Sequence, residues 1–306
     1  MSGDPFSDIL RFTQAQSLVT GGFTAGGPWA LRFPVPQTIK FFAVVKGHCY
    51  VSIDGVAEPT RFDTGDVGLL TAKRGFVLAS DPNLVPVDVM SLFSGDNRSA
   101  LQIGDGSDFA HIGGHVLLDP ASGQLLADVL PPWIHVSAHS PQATAFRWLL
   151  EQLVRERSAT LPGAQLALEQ LAQLLFIQIV RAHLQNTSAL PASWLRALSE
   201  PRIAPALRLM HDDPARAWRL DELARACALS RTGFAVHFKA VAGVAPLAYL
   251  TEWRMHLAER SLREGREPVA VIARTLGYSS DSAFSNAFKR VKGYAPKTCR
   301  QQAAVS

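Results

Sequence analysis

The chain has 306 residues, 47% hydrophobic and 18% charged, with a formal net charge of +4. That is enough for two domains with real cores, and it excludes a disordered or low-complexity chain. Three scattered cysteines, Cys49, Cys227 and Cys299, form no CxxC pair and indicate neither a disulfide framework nor a zinc site.

The first residues, Met1-Ser2-Gly3-Asp4-Pro5, lack the basic and apolar regions of a signal peptide, and no apolar run reaches membrane-spanning length. A soluble cytoplasmic protein that engages no membrane is therefore expected. Residues 6–17 are read as a short helix carrying Ile9, Leu10 and Phe12. After Gly21-Gly22 the texture changes to short apolar runs at 29–33, 39–45, 49–53, 67–71, 76–79 and 87–93. Gly47, Asp54-Gly55, Gly65-Asp66 and Asp81-Pro82 separate them, as turns separate strands. A polar loop at 94–108 leads to a further strand at 109–118. Many short, closely spaced strands predict a barrel or sandwich.

Two helices should come next. Residues 143–158 carry Phe146, Leu149, Leu150, Leu153 and Val154 on one stripe, and 163–184 carry Leu168, Leu171, Leu175, Ile179 and Leu184. Packing on the strands accounts for both, but the second is apolar over most of its circumference, so a homodimer seam is also expected there. Residues 186–192 should open a linker, and 194–198 form a short helix. Ile203, Leu207 and Met210 mark a helix that packs on the C-terminal segment.

From residue 218 to 300 one pattern occurs twice. Phe238-Lys239-Ala240-Val241-Ala242-Gly243-Val244-Ala245-Pro246 returns 50 residues later as Phe288-Lys289-Arg290-Val291-Lys292-Gly293-Tyr294-Ala295-Pro296. Leu223-Ala224-Arg225 and Ile272-Ala273-Arg274 precede the two copies at an offset of 49. Each copy reads as a helix-turn-helix: Asp221 and Glu222 suit a helix N-terminus, Ser230 a second N-cap, and Gly243 followed by Pro246 a stop. The second helix of such a pair enters the major groove of DNA. Phe234, Phe238 and Val241, and in the second copy Phe284, Phe288 and Val291, should face inward.

Helical spacing then turns Arg231, Thr232, Ala235, Val236 and Lys239 outward in the first copy, and Asp281, Ser282, Ser285, Asn286, Lys289 and Arg290 in the second. Asn286 can pair with adenine, and the Thr232 and Val236 methyls can meet a thymine methyl. Lys239, Lys289, Arg290 and Arg254 are expected at phosphates. Charge agrees: from Pro201 onward lie 17 of the 30 Lys and Arg but 9 of the 26 Asp and Glu, a balance of +8, which leaves −4 for the first 200 residues.

The repeated pattern resembles the DNA-binding domain of AraC/XylS-type transcription regulators. The matching positions are Leu223-Ala224, Ser230, Phe234, Phe238-Lys239, Gly243, Pro246, Arg254, Ala258, Ile272-Ala273, Gly277-Tyr278, Ser282, Phe284, Phe288-Lys289, Gly293, Pro296 and Arg300. The resemblance implies two helix-turn-helix units joined by a long helix near 246–264, with Leu247, Leu250, Trp253, Leu257 and Leu262 on its apolar face. Ala235 and Val236 stand where longer polar side chains are common in that family. More loosely, Lys46-Gly47 with Gly65-Asp66-Val67, then Leu130-Pro131-Pro132, Trp194 and Met210-His211, resembles regulators with an AraC-type cupin sensor.

The fold expected is thus a cupin-like jelly-roll barrel with flanking helices over residues 1–190 and an all-α double helix-turn-helix domain over 200–302. The partners expected are double-stranded promoter DNA, RNA polymerase, a small-molecule effector and a second copy of the chain. Trp29, Phe33, Lys46, His48 and Tyr50 are the candidate effector-pocket residues. No metal and no cofactor are expected: a catalytic cupin needs His-x-His, and the chain contains none. His111 and His115, four apart, would share a strand face, although Gly113-Gly114 disturbs it. His211-Asp212-Asp213 suits a helix C-terminus better than acid–base catalysis, and no phosphate loop or Gly-x-Ser-x-Gly elbow occurs. The competing readings are a ligand-independent regulator whose barrel only dimerises, and a metal-dependent cupin enzyme fused to a DNA-targeting domain.

Overall fold

The computed structural model describes residues 4–92, 101–120, 122–159, 161–185, 191–265 and 267–303. Its first element is helix α1 (Pro5–Phe12), started by the Asp4 carboxylate, which accepts from the Phe6 and Ser7 N–H groups. The chain divides into two compact units: Gln14–Asn186, and Met1–Thr13 together with Thr187–Ser306. Helix α1, expected with the strands, therefore belongs to the helical unit.

The first unit is built on two sheets. One holds β1 (Gln16–Ala25), β3 (Ile39–Lys46), β6 (Val67–Leu70), β9 (Leu101–Ile103), β10 (Phe109–Leu117) and β11 (Trp133–Val136), in the order β11-β6-β3-β10-β1-β9. The other holds β2 (Ala30–Phe33), β4 (His48–Ile53), β5 (Thr60–Asp63), β7 (Phe76–Ala79) and β8 (Val87–Asp88), in the order β5-β4-β7-β2-β8. The result is a jelly-roll-like sandwich rather than a closed barrel. Its core includes Phe23, Trp29, Leu31, Phe42, Val44, Val51, Phe62, Leu78 and Phe109.

Several expected boundaries move. Strand β1 starts at Gln16, so it takes Ser17 from the expected first helix and runs through Gly21-Gly22. Those glycines do not end a segment. A Cβ on Gly22 would overlap the His111 carbonyl oxygen and the Arg157 guanidinium, so close approach to β10 requires glycine there. The run at 87–93 pairs only through Val87–Asp88 and then becomes a 3-10 turn, Val89–Leu92. Of the expected polar loop, residues 94–100 lie outside the described residues, and 101–103 form β9.

Helices α2 (Gln124–Ala127), α3 (Ala143–Ser158) and α4 (Ala164–Gln185) complete this unit, with α4 packed on α3 and β1. Gln173 on α4 accepts from the Ser17 N–H at 3.0 Å. Phe146, Leu149, Leu150 and Leu153 are buried as expected, whereas Val154 is exposed. The expected linker opening falls mostly at 186–190, outside the described residues.

The helical unit continues with α5 (Trp194–Leu198), α6 (Ala204–Asp212), α7 (Leu220–Ala226), α8 (Arg231–Ala242), α9 (Pro246–Glu264), α10 (Val269–Thr275), α11 (Asp281–Lys292) and α12 (Pro296–Ala303). It has two cores. Ile203, Leu207, Met210, Leu223, Phe234 and Phe238 belong to one, with Tyr249 and Leu250 from the start of α9. Ile272, Phe284, Phe288 and Cys299 belong to the other, with Met255, Ala258 and Leu262 from its second half. Helix α9 is the shared beam. Its buried face differs from expectation at one end: Leu247 is 43% exposed, and Tyr249 is buried instead.

Between the cores α9 meets α1. Phe12 packs edge-on against Trp253 at 5.5 Å and against His256 at 5.9 Å. His211 does not simply answer a helix dipole. It is buried, stacks on Trp253 at 4.4 Å, shares a 2.7 Å hydrogen bond with the Tyr249 hydroxyl, and has Nδ1 3.7 Å from Asp8. Burial pushes its pKa down to about 4, so the ring is neutral near pH 7.

Candidate nucleic-acid interface

Two helices present matched faces. The Ser230 hydroxyl caps α8 by accepting from the Gly233 N–H at 3.1 Å, and Ser280 caps α11 by accepting from Ala283 at 3.2 Å. Gly243 and Gly293 close them in the left-handed conformation, φ 81° and 83°. Phe234, Phe238, Phe284 and Phe288 are fully buried, which fixes the rotation of each helix.

With those rings inside, Arg231, Thr232, Val236 and Lys239 are exposed on α8 and Ala235 is half-buried. On α11, Asp281, Ser282, Asn286, Lys289 and Arg290 are exposed and Ser285 is half-buried. Val236 is 65% exposed, a large apolar side chain left in water on the outer face of α8. The α8 face carries Arg231 at its start and Lys239 near its end, with Thr232 and Val236 between, and the α11 face runs from Asp281 and Ser282 through Asn286 to Lys289 and Arg290. Such a face can neutralise phosphates and touch base edges.

The turns leading into the two helices differ. Ala228 adopts φ 52° where the second copy has Gly277 at φ 81°. A left-handed alanine is strained and glycine is not, so Ala228→Gly should raise the unfolding free energy by about 1 kcal/mol. Chemical denaturation checks this, and an unchanged or lowered midpoint contradicts it.

Arg254, expected at a phosphate, has partners within the chain. Its Nε donates to the Pro214 carbonyl, its Nη2 donates to the Arg216 carbonyl at 2.8 Å, and the guanidinium lies 5.7 Å from the Tyr278 ring centroid. These contacts hold its guanidinium against protein rather than aiming it at a phosphate.

A residue missed in the sequence anchors the second face. Glu259, buried on α9, receives Lys292 Nζ at 2.6 Å, Arg263 Nη2 at 3.3 Å and the Tyr294 hydroxyl. Lys292 also donates to His256 Nδ1 at 2.8 Å. Burial tends to raise the Glu259 pKa, but these donors outweigh it and hold it below the ordinary glutamate value. The i,i+4 spacing of Glu259 and Arg263 is the only trace of this network in the sequence.

Comparison with known proteins agrees with this geometry. A family model described as Cupin matches residues 4–185, and one described as a helix-turn-helix domain matches residues 223–302. The chain is 40% identical over 298 residues to an AraC-like transcription regulator of Streptomyces lividans, covering 97% of this chain and 98% of that one. The chain is a member of the AraC-like transcription regulators.

A second relative is the HTH-type transcriptional regulator AlkR of Acinetobacter baylyi, 30% identical over 90% of this chain and 92% of that one. Among solved structures, an AraC-type DNA-binding-domain regulator from Chromobacterium violaceum matches at 27% identity and a TM-score of 0.34, over 35% of this chain and 96% of that one. As an AraC-like regulator the protein binds DNA and controls transcription, and its relatives are regulators rather than enzymes.

The sensor-side expectations of this AraC-like chain change most. Trp29 is core, touching Phe23 at 5.1 Å and Phe109 at 4.7 Å. Lys46 and His48 are exposed and Tyr50 is half-buried, because Cys49 and Val51 take the inward positions of β4. Of the five expected pocket residues, Phe33 lines a cavity of about 110 Å³ shared with Phe76, Phe42, Lys40, His111 and Gly113. Phe33 and Phe76 stack in parallel at 4.7 Å. His111 accepts from the Phe23 N–H at Nδ1, and burial pushes its pKa down to about 3, so the neutral ring carries its proton on Nε2.

His115 and His111 do not share a ligand set: His115 instead lies 2.6 Å from Lys40 Nζ. His135 pairs with Asp66 at 2.9 Å. Among the described residues no cluster of three or more His, Cys, Asp or Glu is placed to hold a metal ion, and no single helix is long and apolar enough to cross a membrane.

Proposed function

We propose that this regulator reads promoter DNA with α8 and α11 of one chain together, under control of a small molecule held in the sheet unit. The observation that carries the reading is the repeated geometry: two Ser-capped, Gly-closed helices, each with two buried phenylalanines and an exposed lysine, Lys239 or Lys289, near its end. Asn286 reads adenine, Thr232 and Val236 meet thymine methyls, and Arg231, Lys239, Lys289 and Arg290 meet phosphates. Arg254 takes no phosphate, since backbone carbonyls already hold its guanidinium.

The 110 Å³ cavity supports effector control, since aromatic walls with the His111 Nε2–H and Lys40 as polar groups suit a small planar acceptor-bearing compound. Exposed Trp148, Leu166 and Leu174 on α3 and α4 support a homodimer, with its second copy covering them. The regulator acts in the cytoplasm by changing RNA polymerase access to the promoter.

Sequences selected from random DNA by the full chain provide the test. Asn286→Ala should relax preference at one base by about 1–3 kcal/mol. Lys289→Ala should weaken all sequences alike and reduce the log–log salt slope by about 0.9. Preference unchanged at every base by Asn286→Ala, with an unchanged slope for Lys289→Ala, would remove α11 from the interface.

A further inference from the structure

The two reading units have separate cores that share no residue, and α9 runs through both. A single helix sets their separation along its axis. A second contact is needed to fix how each unit is rotated and tilted about that beam. Base-edge hydrogen bonds demand such fixing, because they weaken steeply with a few tenths of an ångström of displacement or a poor angle.

One place supplies the second contact. The connection between α6 and α7, residues 214–216, belongs to the first reading unit. Arg254, midway along α9, donates to the carbonyls of Pro214 and Arg216. The carbonyl between them, on Ala215, faces the turn of the second unit so closely that a Cβ on Gly277 would overlap it. Tyr278, the next residue, places its ring under the Arg254 guanidinium at 5.7 Å. Three consecutive carbonyls of the first unit are thus met by the beam and by the turn of the second. Arg216 adds a cation–π contact to Trp218 at 3.9 Å, which steadies the same connection from its own side.

We propose that Arg254 is a positioning residue: through Pro214 and Arg216 it locks the first unit against Gly277-Tyr278, and so dictates the one spacing between sub-sites that α8 and α11 can read together. This rests on the reading in which both helices engage one duplex. A base pair inserted between two sub-sites moves the second by about 3.4 Å and turns it by roughly 35°. A locked pair of units cannot follow that change, whereas a pair hinged only on α9 can.

The test uses the full chain, its selected DNA, and versions of that DNA with one base pair added or removed between the sub-sites. Wild type should lose about tenfold or more in affinity on either shifted version. Arg254→Met, which keeps the apolar stem but not the donors, should bind the shifted versions about as well as the original, and an isolated sub-site as well as wild type does. Gly277→Ala forces the same contact apart with Arg254 intact and should flatten the profile too, so the proposal stays decidable if Arg254→Met does not fold. Thermal melting of both variants identifies that case.

A wild-type spacing profile in the folded variants would overturn the proposal. So would uniform weakening of all sites with a salt slope lower by about 0.9, which marks a phosphate contact instead. Wild type that is indifferent to spacing but still needs both sub-sites would also overturn the lock, whereas wild type that binds an isolated sub-site as well as the whole site would mean that the two-helix reading itself fails, and both outcomes are visible without any variant.

Discussion

Phe288→Ala should destabilise the second reading unit by about 3–5 kcal/mol, and Phe238→Ala the first by a similar amount. Both rings are fully buried. Phe288 lies 5.9 Å from Phe284 and from Tyr294, and Phe238 lies 5.6 Å from Phe234 and 5.8 Å from Tyr249, so each truncation opens a void among rigid rings that cannot collapse into it. The effect is large because each core is small. A loss of this size is comparable to the whole stability of a modest domain, so DNA affinity should fall along with the melting temperature. Wild-type melting and affinity in both variants would show that the buried faces of α8 and α11 have been misassigned, and with them every outward residue.

Glu259→Ala should cost about 3–5 kcal/mol, since it strands the Lys292 ammonium, only 11% exposed, without its carboxylate. Lys292 is the last residue of α11, so the same change should loosen the reading helix at its C-terminal end. The pH dependence comes from the neighbours. Glu259 is held below the ordinary glutamate value, so the stability it contributes is present above about 4.5 and is lost as pH falls through its lower folded value. His256 is pushed down to about 4, first by burial and then by Lys292. Its unfolded form takes a proton below about 6.5 and its folded form does not, so stability already declines between about 6.5 and 4. At pH 5.5 that amounts to about 1.4 kcal/mol for one such histidine. Melting curves across pH 4–7.5 should therefore fall from the first unit of acidification, and His256→Gln should remove part of the slope. A flat profile from pH 7 to 5 would contradict the burial assigned to His256.

The helical half is legible because its signals are local. Ser230, Gly243 and Gly293 act within one turn of their own helix, and two phenylalanines four apart determine which way a helix faces. The outward residues of α8 and α11 come from that spacing alone, and the structure leaves them exposed except Ala235 and Ser285, which are half-buried. What the sequence conceals is long-range. Arg254 has the signature of a surface cation on a helix. Its partners at Pro214 and Arg216 lie about forty residues upstream, and backbone carbonyls leave no mark in a sequence. Helix α1 packs on α9 across most of the chain, so nothing near Phe12 announces Trp253.

On the sheet side, alternation is interpretable only once its phase is known. A pocket holding His48 and Tyr50 needs both turned inward, but burial of Cys49 and Val51 sets the opposite phase for β4. The glycine pair in β1 reads as a break because a turn and a close backbone approach demand the same residue. Strand β5 holds one apolar residue, Phe62, among polar ones, and β11 directly follows Pro131-Pro132, so neither stands out as a strand.

Hydroxyl-radical footprinting of the full chain on its selected DNA tests the central claim most directly. The 19 residues of α9 span about 28 Å, close enough to the B-DNA repeat of about 34 Å for short turns or a slight bend to supply the rest. Two protected patches on one face of the duplex, about one helical turn apart and of dissimilar sequence, are expected from one chain. Protection confined to a single groove would mean that only one of the two helices reads DNA.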